Sequence, residues 1–116
     1  MSLVAGHSAE QLAALYLQQQ GLKLLTRNYR CRFGEIDLIM QDGKTLVFVE
    51  VRARKSKTFG GAVASVTASK QQKLILTAQS YLSTLRHLPA CRFDVVGFEG
   101  QDAPPHWIRH AFEPSA

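Results

Sequence analysis

Two β-prone segments, Ile36 to Met40 and Thr45 to Arg54, flank the dipeptide Asp42-Gly43, and no other feature restricts the fold of this chain as much. The first segment is apolar except for Asp37, the second is rich in β-branched residues, and Asp-Gly is a strong signal for a two-residue hairpin loop. A β-hairpin is predicted. With Asp42 and Gly43 as the loop, Gln41 pairs with Lys44, Asp37 faces Phe48 and Glu35 faces Glu50. Because side chains alternate with period two, Glu35, Asp37, Glu50, Arg52 and Arg54 then share one face, and Val47, Val49, Val51 and Ala53 the other. Asp37 and Glu50 become diagonal neighbours about 7–8 Å apart, a span their side chains can close around one cation. Glu35 opposite Glu50 repels unless a counter-charge or a bulge intervenes.

The run Leu46-Val47-Phe48-Val49 is apolar on both faces, as in a central strand covered on both sides. A central strand that turns ionic at its end usually borders a cleft. Acids grouped there need a cation, and hard oxygen ligands suit magnesium or manganese rather than zinc. The competing reading is a solvent face on which Arg52 pairs with Glu50 or Asp37.

Helical signals flank this hairpin. Ser8 can cap a first helix, Gln11 can complete a capping box, and Gly21 stops it. Ala9, Leu12, Ala13, Tyr16, Leu17 and Ala14 form its apolar arc, and Glu10 projects on or beside that inward face. Glu10 is equally a first-turn acid favoured by the helix dipole. A second helix starts near Thr67 or Ser69, with Leu74, Ala78, Tyr81, Leu82 and Leu85 as its core stripe. Its first turns carry Lys70, Gln71 and Lys73, where basic residues oppose the helix dipole and unpaired N–H groups attract anions. Strands are expected at Arg92 to Phe98 and Trp107 to Phe112. The order predicts an α/β fold, a mixed sheet with a helix packed on each side.

The 116 residues suit one domain, 1–116. A net charge of +5 points to polyanions, and residues 1–60 hold nine basic and five acidic side chains against five and four in the remainder. Lys23, Arg27, Arg30 and Arg32 form one basic cluster. Arg52, Arg54, Lys55 and Lys57 form a tighter one, spaced to neutralise phosphates; a solubilising surface is the plainer alternative. The loop after Arg54, with Gly60-Gly61, could close over a ligand. Cys31 and Cys91 are isolated and read as buried reduced thiols, and the four histidines lack metal-site spacing. No run is long enough for a membrane span, and without a secretory signal the cytoplasm is the expected compartment.

The blocks Gly34-Glu35-Ile36-Asp37-Leu38-Ile39, Val47-Phe48-Val49-Glu50-Val51-Arg52, Gly60-Gly61 with Ser65-Val66-Thr67 and Lys70-Gln71, and Arg92-Phe93-Asp94-Val95-Val96 resemble the YraN-type bacterial family. That family is related to Holliday-junction resolvases and the restriction-endonuclease-like nucleases. The resemblance implies an α-β-β-β-α-β nuclease core in which Asp37 and Glu50 hold Mg2+ or Mn2+, Glu10 is a helix-borne acid and third metal ligand, and Arg52 occupies the place usually filled by lysine. It implies metal-dependent, structure-selective hydrolysis of DNA, with branched DNA as the candidate substrate. Arg54, Lys55, Lys57, Lys70, Gln71, Lys73, Arg30 and Arg32 would contact nucleic acid, and a homodimer follows by analogy alone. Arginine keeps the charge and can clamp a phosphate, but it essentially never deprotonates. The alternative is a catalytically inactive nucleic-acid-binding module on the same fold. More distant is a scaffold whose acids are structural ion-pair partners.

Overall fold

The computed structural model describes residues 8–54, 64–100 and 104–114. Helix α1 spans Ala9–Gln19 and begins with the expected capping box: Ser8 Oγ accepts from the Gln11 N–H at 3.1 Å, and the Ser8 N–H donates to Gln11 Oε1 at 2.7 Å. It is followed by strands β1 (Lys23–Cys31), β2 (Gly34–Asp42) and β3 (Thr45–Arg54), helix α2 (Ala68–Leu82), and strands β4 (Cys91–Glu99) and β5 (His106–Phe112). Thr67 caps α2, its Oγ1 accepting from the Lys70 N–H.

The five strands form one mixed sheet in the order β1-β2-β3-β4-β5. Hairpin neighbours are antiparallel, whereas β3 and β4, joined through α2, are parallel from Leu46↔Cys91 to Arg54↔Glu99. β3 is central, as its unbroken apolar run predicts. Phe48 and Leu46 pack with Ile39, Phe93 and Val95 against Leu74, Ile75 and Ala78 of α2. Val47 and Val49 pack with Leu38, Met40 and Val96 against Ala13, Ala14 and Leu17 of α1. Each face therefore carries its own apolar core, in which a fully buried side chain such as Val49 contributes roughly 1.5–3 kcal/mol.

The hairpin register differs from the expected one. Asp42 pairs with Thr45, Met40 with Val47 and Leu38 with Val49, so Gly43 and Lys44 form the loop. The cause is local: Gly43 takes φ +62° at the first loop position, which only glycine adopts cheaply in a type II′ hairpin. Asp42 stays in the strand, its Oδ2 3.0 Å from Arg92 Nη2 at an angle that makes the contact an ion pair rather than a hydrogen bond. Moving the loop by one residue slides the pairing by two, and beyond Leu38 the alternation breaks, because Ile36 joins Ile39 in the α2-side core and leaves Asp37 at the irregularity. Ile39, not Asp37, faces Phe48. Glu35 does not face Glu50; it pairs with Arg30 of β1 and forms an ion pair with it at 3.0 Å.

One further expectation changes. The thiols are not buried: Cys31 is half-exposed and Cys91 exposed. Lys55, Lys57 and the Gly60-Gly61 loop lie outside the described residues. Among the described residues, no helix is long and apolar enough to cross a membrane.

Candidate acidic cleft

β2 and β3 part company at one end of the sheet, and the acids gather there. Their pairing runs as far as Leu38↔Val49. Beyond that point the Val51 N–H donates not to a strand carbonyl but to Asp37 Oδ2, at 2.8 Å. A side chain thus occupies a place in the ladder where backbone would otherwise sit, which holds the Asp37 carboxylate between the two strands. Glu50 follows Phe48 by two residues on β3 and so projects toward the α2 side. Glu10 enters from the first turn of α1, on the opposite face. Asp37 interacts electrostatically with both glutamates, so three acids from three elements gather within range of one another.

That group is electrostatically unsettled. Burial, reinforced by the charge of Glu50, pushes the Asp37 carboxyl up to about 6, against the Val51 N–H, which favours the carboxylate. Burial also raises Glu50, although Arg52 and Lys70 pull it down. Glu10 is raised by burial and then by the charge of Asp37. Neighbouring carboxyls can hydrogen-bond to one another only by retaining protons, and a cation would replace those protons. Among the described residues, no group of three or more His, Cys, Asp or Glu side chains is arranged to hold a metal ion, so the three expected ligands do not form a shell. The donor chemistry of the Asp37–Glu50 pair, hard carboxylate oxygens, fits magnesium or manganese.

Positive charge borders the acids. Arg52 Nη2 lies 3.1 Å from Glu50 Oε2, while Arg52 Nε is buried without a hydrogen-bond partner among the described residues. Glu50 and Arg52 line a cleft of about 210 Å³ together with Gly34, Glu35, Lys70 and Lys73. Both lysines are exposed. Gln71 is engaged elsewhere, its amide donating to the Val66 carbonyl at 3.0 Å and bracing the start of α2. Arg30 and Arg32 lie at the β1–β2 turn, one paired with Glu35 and the other stacked on Phe33. Arg54 ends β3.

Sequence reasoning passed over two residues. Asn28, on β1, takes φ +53°, a left-handed conformation that asparagine tolerates better than most. With its amide nitrogen turned toward the acids, it donates to Glu10 Oε1 at 3.0 Å and to Glu35 Oε2 at 3.3 Å. An asparagine inside a strand pattern, where it is disfavoured, was the available signal. The second is Asp94, 1% exposed within an apolar run. Its carboxylate accepts from Arg92 Nε at 3.0 Å, Trp107 Nε1 at 2.9 Å and the His110 N–H at 3.1 Å. An isolated acid in an apolar strand signals a buried polar group with dedicated partners.

Residues 9–98 match the model of the uncharacterised protein family UPF0102. Similar chains include a UPF0102 protein of Nitrosomonas europaea, 57% identical over 111 residues that cover 95% of this chain and 94% of the relative. Another is a UPF0102 protein of Janthinobacterium sp. (strain Marseille), 54% identical over 95% of this chain and 88% of its own length. A UPF0102 protein of Psychromonas ingrahamii is 55% identical over 93% of this chain and 88% of its own.

Proposed function

This chain belongs to the UPF0102 family, and from that premise we propose that it is a metal-dependent endonuclease that hydrolyses DNA phosphodiester bonds with preference for structure over sequence. The observation that carries the proposal is the meeting of Glu10, Asp37 and Glu50, drawn from α1, β2 and β3, with the Asp37 carboxyl raised to about 6 and its neighbour Glu50 lining a cleft beside an arginine and two lysines. Perturbed acids in a cleft bordered by cations mark a reactive site more often than a scaffold. Asp37 and Glu50 would hold a magnesium or manganese ion. When bound, that ion supplies an activated water and charge stabilisation at the attacked phosphate.

The chain's own groups have distinct duties. The Val51 N–H engages Oδ2 of Asp37 and so orients the carboxylate that would hold the ion. Arg52 stabilises charge on the phosphate but accepts no proton. Proton transfer, if it passes through a side chain, falls to the acids. Lys70 and Lys73 take flanking phosphates, contacts that position DNA without reading its bases.

Purified protein incubated with branched and linear DNA in magnesium or manganese is expected to cut branched substrate preferentially. Cleavage no greater than that of an Asp37→Ala control defeats the proposal. One observation favours a second reading, a binding module without hydrolysis: Arg52 already satisfies Glu50 at 3.1 Å. That reading requires salt-sensitive DNA binding that is indifferent to metal and survives Glu50→Ala.

A further inference from the structure

The turn between β1 and β2 contains an aromatic ring that neither core uses. Arg32 and Phe33 are its two loop residues, closed by the Cys31↔Gly34 pair. Phe33 is 37% exposed, with the Arg32 guanidinium 4.8 Å from its ring centroid. Arg30 and Arg27 extend the positive charge along exposed positions of β1. The tip is firmly seated. Gly34 runs so close to α2 that a Cβ there would lie 3.3 Å from Oγ1 of the buried Thr77, and the Phe33 N–H donates to Cys31 Sγ at 3.4 Å.

We propose that Phe33 is a stacking platform for an unpaired DNA base, with Arg30 and Arg32 holding the phosphates on either side of it. This inference rests on the endonuclease reading and gives it a source of structure selectivity. Single-stranded nucleic acid is bound by exposed rings set among cations, because every base has a π-face and every nucleotide a phosphate. The position suits that task. Gly34, the next residue, already lines the cleft with Glu50, Arg52 and Lys73. A base stacked on Phe33 therefore lies at the edge of that cleft, with its strand directed toward Glu50 and Lys73. A continuous duplex keeps its bases stacked on each other and offers none to the ring, whereas a branch point does. Charge argues against a second copy as the occupant, since two such tips would bring Arg30 and Arg32 against their own equivalents.

The test measures binding in chelator, without cleavage, to a three-way junction carrying 2-aminopurine at the branch and to the matching duplex. Wild-type protein is expected to bind the junction more tightly and to change the 2-aminopurine fluorescence. Phe33→Ala should weaken junction binding about tenfold and abolish the fluorescence change, while duplex binding stays within about twofold; Phe33→Trp should restore both. Junction binding and fluorescence unchanged in Phe33→Ala overturn the platform and leave the endonuclease reading to its own cleavage assay. Absence of any DNA binding by the wild type overturns both. Loss of a concentration-dependent dimer in Phe33→Ala, with DNA binding intact, assigns the tip to a second copy and overturns the proposal.

Discussion

Asp94 on β4 and Asp37 on β2 flank the same central strand, yet their surroundings are opposite. Asp94 is 1% exposed and surrounded by donors: a guanidinium, an indole N–H and a backbone N–H. The last of these is aimed by His110, whose φ of +52° sits where the β4–β5 register shifts. Asp94 thereby fastens the edge strand β5 to β4. Asp37 receives one backbone N–H and otherwise meets two further acids. Burial alone does not distinguish a working acid from a structural one; the sign of its neighbours does. A carboxylate given every donor it can accept is settled by folding, whereas one placed among carboxylates is settled only by protons or a cation.

Four substitutions break or sharpen this contrast. The largest effect falls on Asp94: Asp94→Ala leaves Arg92 with Asp42 as its remaining acid and strands the Trp107 and His110 donors, a loss of about 3 kcal/mol in urea unfolding. A loss below about 1 kcal/mol would remove its structural role. Next, Asp37→Ala should reduce DNA cleavage at saturating magnesium by about 100- to 1,000-fold while the far-ultraviolet circular dichroism of the wild type is retained.

Asp37→Asn tests the unsettled state itself. A carboxyl raised from 3.8 to about 6 contributes stability in full below its unfolded value, and that contribution is lost as pH rises through about 6. The amide keeps an acceptor for the Val51 N–H and never ionises. Its Tm should exceed that of the wild type by roughly 3–6 °C at pH 8, with the gap closing toward pH 4. Magnesium or manganese should narrow the gap at pH 8 by stabilising the wild type alone. A gap that widens on acidification contradicts the account.

The smallest effect belongs to the Arg30–Glu35 pair, whose arginine is 77% exposed. Arg30→Ala should change stability by less than about 0.5 kcal/mol, while lowering the slope of log DNA affinity against log salt by about one phosphate contact. Unchanged salt dependence would place Arg30 outside the nucleic-acid surface.

Much of this was legible because it is local. Ser8 and Gln11 cap α1 by reaching three residues along the chain, and Thr67 does the same for α2. The doubly apolar run of β3 announced a strand covered on both faces. Alternation on the expected register made Asp37 and Glu50 near neighbours, whereas the irregularity that sets the Asp37 carboxylate between β2 and β3 was not legible. The register itself was misjudged because Asp42-Gly43 supports two loop placements; Gly43 at the first loop position and Arg92, fifty residues downstream of Asp42, decide between them.

Short-range rules therefore determined the elements, their caps and the chemical types available to the cleft. Tertiary structure alone decided that Glu10 of α1 reaches Asp37, that Asn28 ties it to Glu35, and that Asp94 is a fastening while Asp37 is not. The physical reason is range. Caps and alternation are fixed by backbone geometry within a few residues, whereas the charge state of a carboxylate depends on which distant groups the fold brings within a few ångströms.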